Sequence, residues 1–458
     1  MIKFTKLVVF AFGIYFFSWL SVYLTGVNKL AIQSEDTLPA MFIPVTLIKE
    51  KTLYADTYYN YIKERYPHPD DKSFEKGLTP FYFKQVASHY ISAFPIMTGF
   101  LVVPVYFPPL VLGLSVTFEN LVFLAHISSA LIVALSGGVL FLLLKKYLLK
   151  DERHALWLTL IYLFGTINYA LISQALWQHG TLQLFLLLSL YFLYKSLSAQ
   201  RLRHVFLSTL FLGFAILTRP TAVIFVPFLF LIFVGKSFVS VKKAFLSMWV
   251  YVTGFLPALL FFVWYNAVFY LDISNQGYAS QILSEWLSKF PEGFLGLWLS
   301  PSKGLLIYTP VFILSLFGFV LSLRKKISTT DFEYIIYGCI VLLYTLVMGK
   351  WKHWYGGWSF GYRMASDIIP FLILLLVPYV KSVFFSKKLL IGLTIFSIVV
   401  QIYGMIFFDG IWHSAYDRGF TDTAWLWSIK DSELAFNVRR VLVKVGVLER
   451  ACPQCLPN

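Results

Sequence analysis

A Glu35-Asp36 pair stands just beyond the first long apolar run, at the head of the stretch "SEDTLPAMFIPVTLIKEKTLYAD". A carboxylate in that place serves as a helix cap, a general base, or a metal ligand facing a pocket at a membrane surface. Asp36 is the candidate base, with Glu35 and Asp56 as neighbouring carboxylates. Arg219 in "ILTRPTAVIF", Lys303 in "LSPSKGLLIYTP" and Arg363 in "GWSFGYRMASDIIP" each sit where an apolar run begins or ends. A cation inside a bilayer costs about 2.5–3.5 kcal/mol on insertion scales, so each either snorkels to headgroups or holds an anion. A phosphate or pyrophosphate suits such a set, because arginine offers a planar fork and lysine a mobile point charge. In "SQALWQHG", Gln178 and His179 follow Trp177; the imidazole is a base, a ligand or a neutral hydrogen-bonding group. Trp358 and Tyr362 of "WYGGWSFGY" are interfacial anchors or faces for a sugar ring.

The elements that must position these groups are membrane helices. Of 458 residues, 58% are hydrophobic and 13% charged, which places the chain among polytopic membrane proteins. Apolar runs cover 5–27, 121–144, 155–173, 181–198, 204–218, 220–235, 245–268, 305–323, 333–349, 366–384 and 389–407, giving about eleven crossings of an all-α fold. The net charge of +15 lies in short basic patches between these runs, which reads as topology and excludes a nucleic-acid partner. With the N-terminus cytoplasmic, every such patch falls inside. That parity needs 89–115 to be a broken or interfacial segment, in keeping with Pro95, Pro104, Pro108 and Pro109. Residues 1–407 then form one membrane domain, 28–118 a long first outer loop, and 408–458 a short outer tail. Leu38, Met41, Phe42, Val45 and Ile48 recur at helical spacing and predict an amphipathic helix lying on the membrane.

No HExxH, clustered histidines or phosphate-cradling glycine pattern is present, so no cofactor is assigned and a divalent cation stays open. Cys339 lies in an apolar run and packs; Cys452 and Cys455 form "CPQC", for which a local disulfide is the plainest reading.

In this order and on one side of the membrane, "EDTLPAMFIPVTLIKEKTLYAD", "SQALWQHG", "LTRPTA", "LSPSKGLLIYTPVFIL" and "WYGGWSFGYRMASDIIPF" resemble the GT-C superfamily of membrane glycosyltransferases. That superfamily includes protein O-mannosyltransferases and lipid A aminoarabinose transferases. The resemblance implies a polyprenyl-phosphate sugar as donor and an envelope glycan, lipid or protein as acceptor. It makes Asp36 the base of an inverting transfer on the periplasmic face of a bacterial inner membrane. Arg219, Lys303 and Arg363 become the donor phosphate site, lined by Glu35, Asp56, Gln178, His179, Trp358 and Tyr362. The chain departs from the O-mannosyltransferases in carrying Glu35-Asp36 in place of Asp-Glu, and in lacking their large inserted soluble domain. A transporter or flippase of lipid-linked sugars is the rival. It needs polar groups through the bilayer midplane, whereas here they gather at the ends of the runs. An acyltransferase would want a catalytic histidine within a span, and His126 has no visible acidic or amide partner in its run.

Overall fold

The computed structural model describes residues 3–27, 32–237, 241–274, 284–324 and 332–448. Cys452 and Cys455 lie outside them. Among these residues, six helices are long and apolar enough to cross a membrane, or seven if the bent pair Glu152–Phe164 and Ile167–Gln174 is one span. The expected eleven crossings are therefore not reached by length. The runs at 204–218, 220–235, 305–323 and 333–349 appear as shorter apolar helices.

Contacts divide the chain into two units. The first comprises 1–16, 31–159 and 172–284; the second, 17–30, 160–171 and 285–458. Residues 408–458, the expected outer tail, fall in the second.

In chain order, the helices that matter to the first unit begin with α1 (Phe4–Thr25), α2 (Leu38–Val45) and α3 (Asp56–Arg65). All eight residues of α2 are buried. The expected amphipathic face exists, but Pro39, Ala40, Ile43 and Pro44 fill the opposite side with apolar surface, so the helix packs inward on every face. An antiparallel hairpin, β1 (Phe83–Val86) and β2 (His89–Ser92), follows and adds a strand pair to a fold expected to be all helix. The apolar segment after it is α4 (Met97–Val111), 15 residues long. At 1.5 Å per residue it extends roughly 22 Å, against about 30 Å for the hydrocarbon core. The broken-segment reading fits this length, although its first residues are strand. Gly99 lets α4 close on α2, for a β-carbon there would lie 2.7 Å from Ile43 Cβ.

Next come α5 (Phe118–Leu143), α6 (Glu152–Phe164), α7 (Ile167–Ala170), which belongs to the second unit, α8 (Gln178–Ala199) and α9 (Leu202–Thr218). Helix α8 stops at Gln200, whose left-handed backbone (φ 48°) bonds back to Ser196 O, and α9 starts two residues later. So short a link makes the two helices antiparallel neighbours, and Ser208 Oγ donates to Ser189 O at 2.9 Å across them. His126 is buried in α5 with Nδ1 2.8 Å from Val122 O, a packed role.

In the second unit, helix Arg363–Val380 is almost wholly buried, and helix Lys387–Phe407 leads to a folded C-terminal segment. This segment holds helices Ile411–Tyr416 and Glu433–Lys444. Arg440 makes a fork-on-carboxylate contact with Asp409 at 3.0 and 2.6 Å, and Trp412 Nε1 donates to Asp431 O at 2.7 Å. Residues 408–448 therefore carry ordered helices and contacts within the second unit.

Candidate functional site

Two sequence features place Arg219. Pro220 disfavours helical backbone in the residue before it, so α9 ends there and Arg219 is extended (φ −146°, ψ 116°). The antiparallel register that pairs Ser189 with Ser208 brings this C-terminal end of α9 beside the first turn of α8. Arg219 Nη1 lies 3.3 Å from His179 Nε2. A guanidinium only donates, so in this contact His179 Nε2 accepts and the proton of the neutral ring sits on Nδ1. His179 is buried at 2% exposure, while Gln178 and Arg219 are partly exposed. The imidazole thus orients the arginine.

One residue before α8, the buried Trp177 donates from Nε1 to Gln33 Oε1 at 3.1 Å. This bond ties the acidic loop to the same end of the α8–α9 pair, since Gln33 is two residues from Glu35. Ser34 then caps the 3-10 turn Glu35–Thr37, accepting from Asp36 N at 3.3 Å. Glu35 and Asp36 are both partly exposed. Burial, and then the adjacent Asp36 charge, push the Glu35 carboxyl above its ordinary range. Three segments distant in sequence therefore meet within one unit: Gln33–Asp36, Trp177–His179 and Arg219.

Asp56 is engaged elsewhere in that unit. Its Oδ2 lies 2.6 Å from His89 Nδ1, and its Oδ1 accepts from Tyr90 N at 2.6 Å.

The remaining candidates belong to the second unit. Lys303 is fully buried. Its Nζ donates to Ser359 O and lies 2.9 Å from His413 Nε2 and 3.5 Å from Glu433 Oε2. Glu433 also accepts from Tyr308 OH at 3.1 Å and from Gly361 N at 3.4 Å. Gly361 has φ +61° and no β-carbon to strike the Tyr308 ring, which allows that approach. Burial pushes the Lys303 ammonium down and the Glu433 carboxyl up, and each charge opposes the shift of the other. Sequence reasoning missed Glu433 and His413. The available signal was Lys303 itself, since a buried cation needs a counter-charge.

Tyr362 is likewise a buried packing residue, with its OH 2.7 Å from Thr309 Oγ1 and 3.2 Å from Ile167 N. Trp358 is half exposed and donates to Asp417 Oδ2 at 2.9 Å. Arg363 is partly exposed, with Gly356 packed beside its side chain. Among the described residues, no group of three or more His, Cys, Asp or Glu is placed to hold a metal ion.

Residues 103–265 match the family model of the dolichyl-phosphate-mannose-protein mannosyltransferases. The match supports a GT-C glycosyltransferase. It spans the α8–α9 pair and so includes His179 and Arg219, but stops short of Lys303 and Arg363 and begins after Asp36. No curated protein matches the chain. The GT-C match and the apolar helices support an integral membrane glycosyltransferase that takes its sugar from a polyprenyl-phosphate donor.

Proposed function

We propose that this GT-C transferase passes a sugar to an acceptor hydroxyl at the outer ends of its helices, with inversion, and that Asp36 is the base. The observation that carries the reading is the His179–Arg219 contact, in the same unit as the Gln33–Trp177 bond that draws in the acidic loop. Asp36 takes the acceptor proton, and the freed oxygen lone pair attacks the anomeric carbon from the side opposite the phosphate. The bond from that carbon to the phosphate oxygen breaks, and the phosphate leaves with the electron pair. Arg219 offers its fork to the charge that develops there, held in orientation by His179. Lys303 shapes its own unit through Glu433. Gln178, partly exposed in the same unit as Arg219, is a contact for the sugar. The acceptor is an envelope glycan, lipid or protein, and the membrane a bacterial inner membrane with the N-terminus inside.

The test is transfer by purified protein in lipid, wild type beside Asp36→Asn, with a panel of polyprenyl-phosphate sugars and an envelope extract. General-base removal is expected to cost about 10²–10⁴ in kcat while donor binding persists. Full turnover by Asp36→Asn removes Asp36 as the base. No transfer by wild type from any donor, with labelled lipid reaching the opposite leaflet instead, makes the chain a flippase.

A further inference from the structure

The first unit contains a second acid–base pair that the transfer step does not use. Asp56, first residue of α3, is held at both oxygens: Tyr90 N donates to Oδ1 and His89 Nδ1 lies against Oδ2, each at 2.6 Å. The His89 ring stacks on Tyr54 with centroids 4.0 Å apart and planes 16° from parallel. The next residue of the strand, Tyr90, stacks on Tyr59 at 3.5 Å. The hairpin is already closed on α3 by a backbone bond, Ala55 N to Tyr90 O at 2.7 Å, so the carboxylate–imidazole contact is not needed to fasten it. A carboxylate on Nδ1 fixes the proton there in the neutral ring and leaves Nε2 with its lone pair. The His89 side chain is 43% exposed and Asp56 39%, so this nitrogen belongs to a presented surface and not to the core.

We propose that His89, oriented by Asp56, is a hydroxyl-binding subsite for a carbohydrate, the acceptor of the transfer above; this rests on the proposed glycosyl transfer. With the Nε2 lone pair outward, the ring suits a neutral hydroxyl that donates to it. Tyr54 and Tyr90, both partly exposed, have a ring face taken by His89 and by Tyr59, so a sugar meets the exposed rims of these rings. His89 is a positioning residue: it aligns the acceptor by one hydroxyl while another reacts.

Asp56→Asn is a shape-conserving test. Tyr90 N keeps the amide oxygen at its present Oδ1 place, which turns the amide NH2 toward His89 Nδ1. That nitrogen must then accept, and the proton moves to Nε2. Histidine-labelled protein in lipid nanodiscs is followed by ¹⁵N NMR, with methyl glycosides as the probe, alongside transfer kinetics. Wild-type His89 is expected to carry its neutral-state proton on Nδ1, and a glycoside to shift Nε2. Asp56→Asn is expected to invert the tautomer, abolish that shift, and raise acceptor KM at least about tenfold, the equivalent of 1.4 kcal/mol, with donor KM unchanged. His89→Ala should match it in acceptor KM. If no glycoside shifts His89 in folded wild type, or acceptor KM is unchanged in both variants, the subsite is overturned. Glycoside binding at His89 without turnover by wild type would retain the subsite and sink the transferase reading instead.

Discussion

Removing the charge of Glu433 tests whether the C-terminal segment is held by a buried ion pair. Glu433 and Lys303 are 1% and 0% exposed at their side chains, with Nζ 3.5 Å from Oε2. At an effective dielectric constant of about 20, unit charges at that separation attract by roughly 5 kcal/mol, a gross term that desolvation of both ions largely offsets. The single change Glu433→Gln keeps an acceptor for Tyr308 OH and Gly361 N but leaves an ammonium buried without its counter-charge. The expected loss is about 3–5 kcal/mol. Lys303→Met strands the carboxylate in the same way. In Lys303→Met with Glu433→Gln neither charge remains, and the double variant is expected to recover most of the loss, within about 1–2 kcal/mol of wild type. The assay is equilibrium unfolding from mixed micelles, following the near-ultraviolet signal of Trp412 and its neighbours. Single variants at wild-type stability, or losses that simply add, would refute the argument that the two charges are confined together.

Other outcomes follow from the first unit. Arg219→Lys keeps the charge and loses the fork; it is expected to raise donor KM about 10- to 150-fold, the 1.5–3 kcal/mol of a charged hydrogen bond. Initial rates against donor concentration would show this, and an unchanged donor KM removes Arg219 from the phosphate site. Trp177→Phe deletes the donor to Gln33 and should cost roughly 1 kcal/mol in unfolding together with a fall in kcat, because the acidic loop loses its tie. Equal kcat would mean the tie does not position Asp36. For Glu35, the folded-state pKa is raised above the ordinary 4.5. Its stability contribution is therefore fully present below the unfolded value and declines as pH rises through the folded one. Unfolding midpoints measured from acid to neutral pH should fall more for wild type than for Glu35→Gln, and parallel curves would contradict the sign.

The sequence by itself determined the class of protein and the ends at which polar chemistry gathers. Apolar runs of spanning length leave little choice of solvent, because a backbone in lipid must satisfy its own hydrogen bonds. It also determined the local geometry of Arg219, since Pro220 ends the helix regardless of what surrounds it. The run Leu38–Val45 was legible as a helix, but its environment was not: periodicity reports one apolar face, and whether the other meets lipid headgroups or protein depends on α4, far along the chain. Tertiary structure alone decided which cations are buried against a carboxylate. Arg219 and Lys303 look alike in sequence, each at the border of an apolar run. Residue 433 lies 130 positions from Lys303, and its carboxylate is the buried counter-charge that lysine meets. Arg219 instead meets an imidazole across an antiparallel helix pair and stays partly exposed. Charge neutralisation depends on distance in space, and one-dimensional spacing carries that information only for neighbours on the same helix or turn.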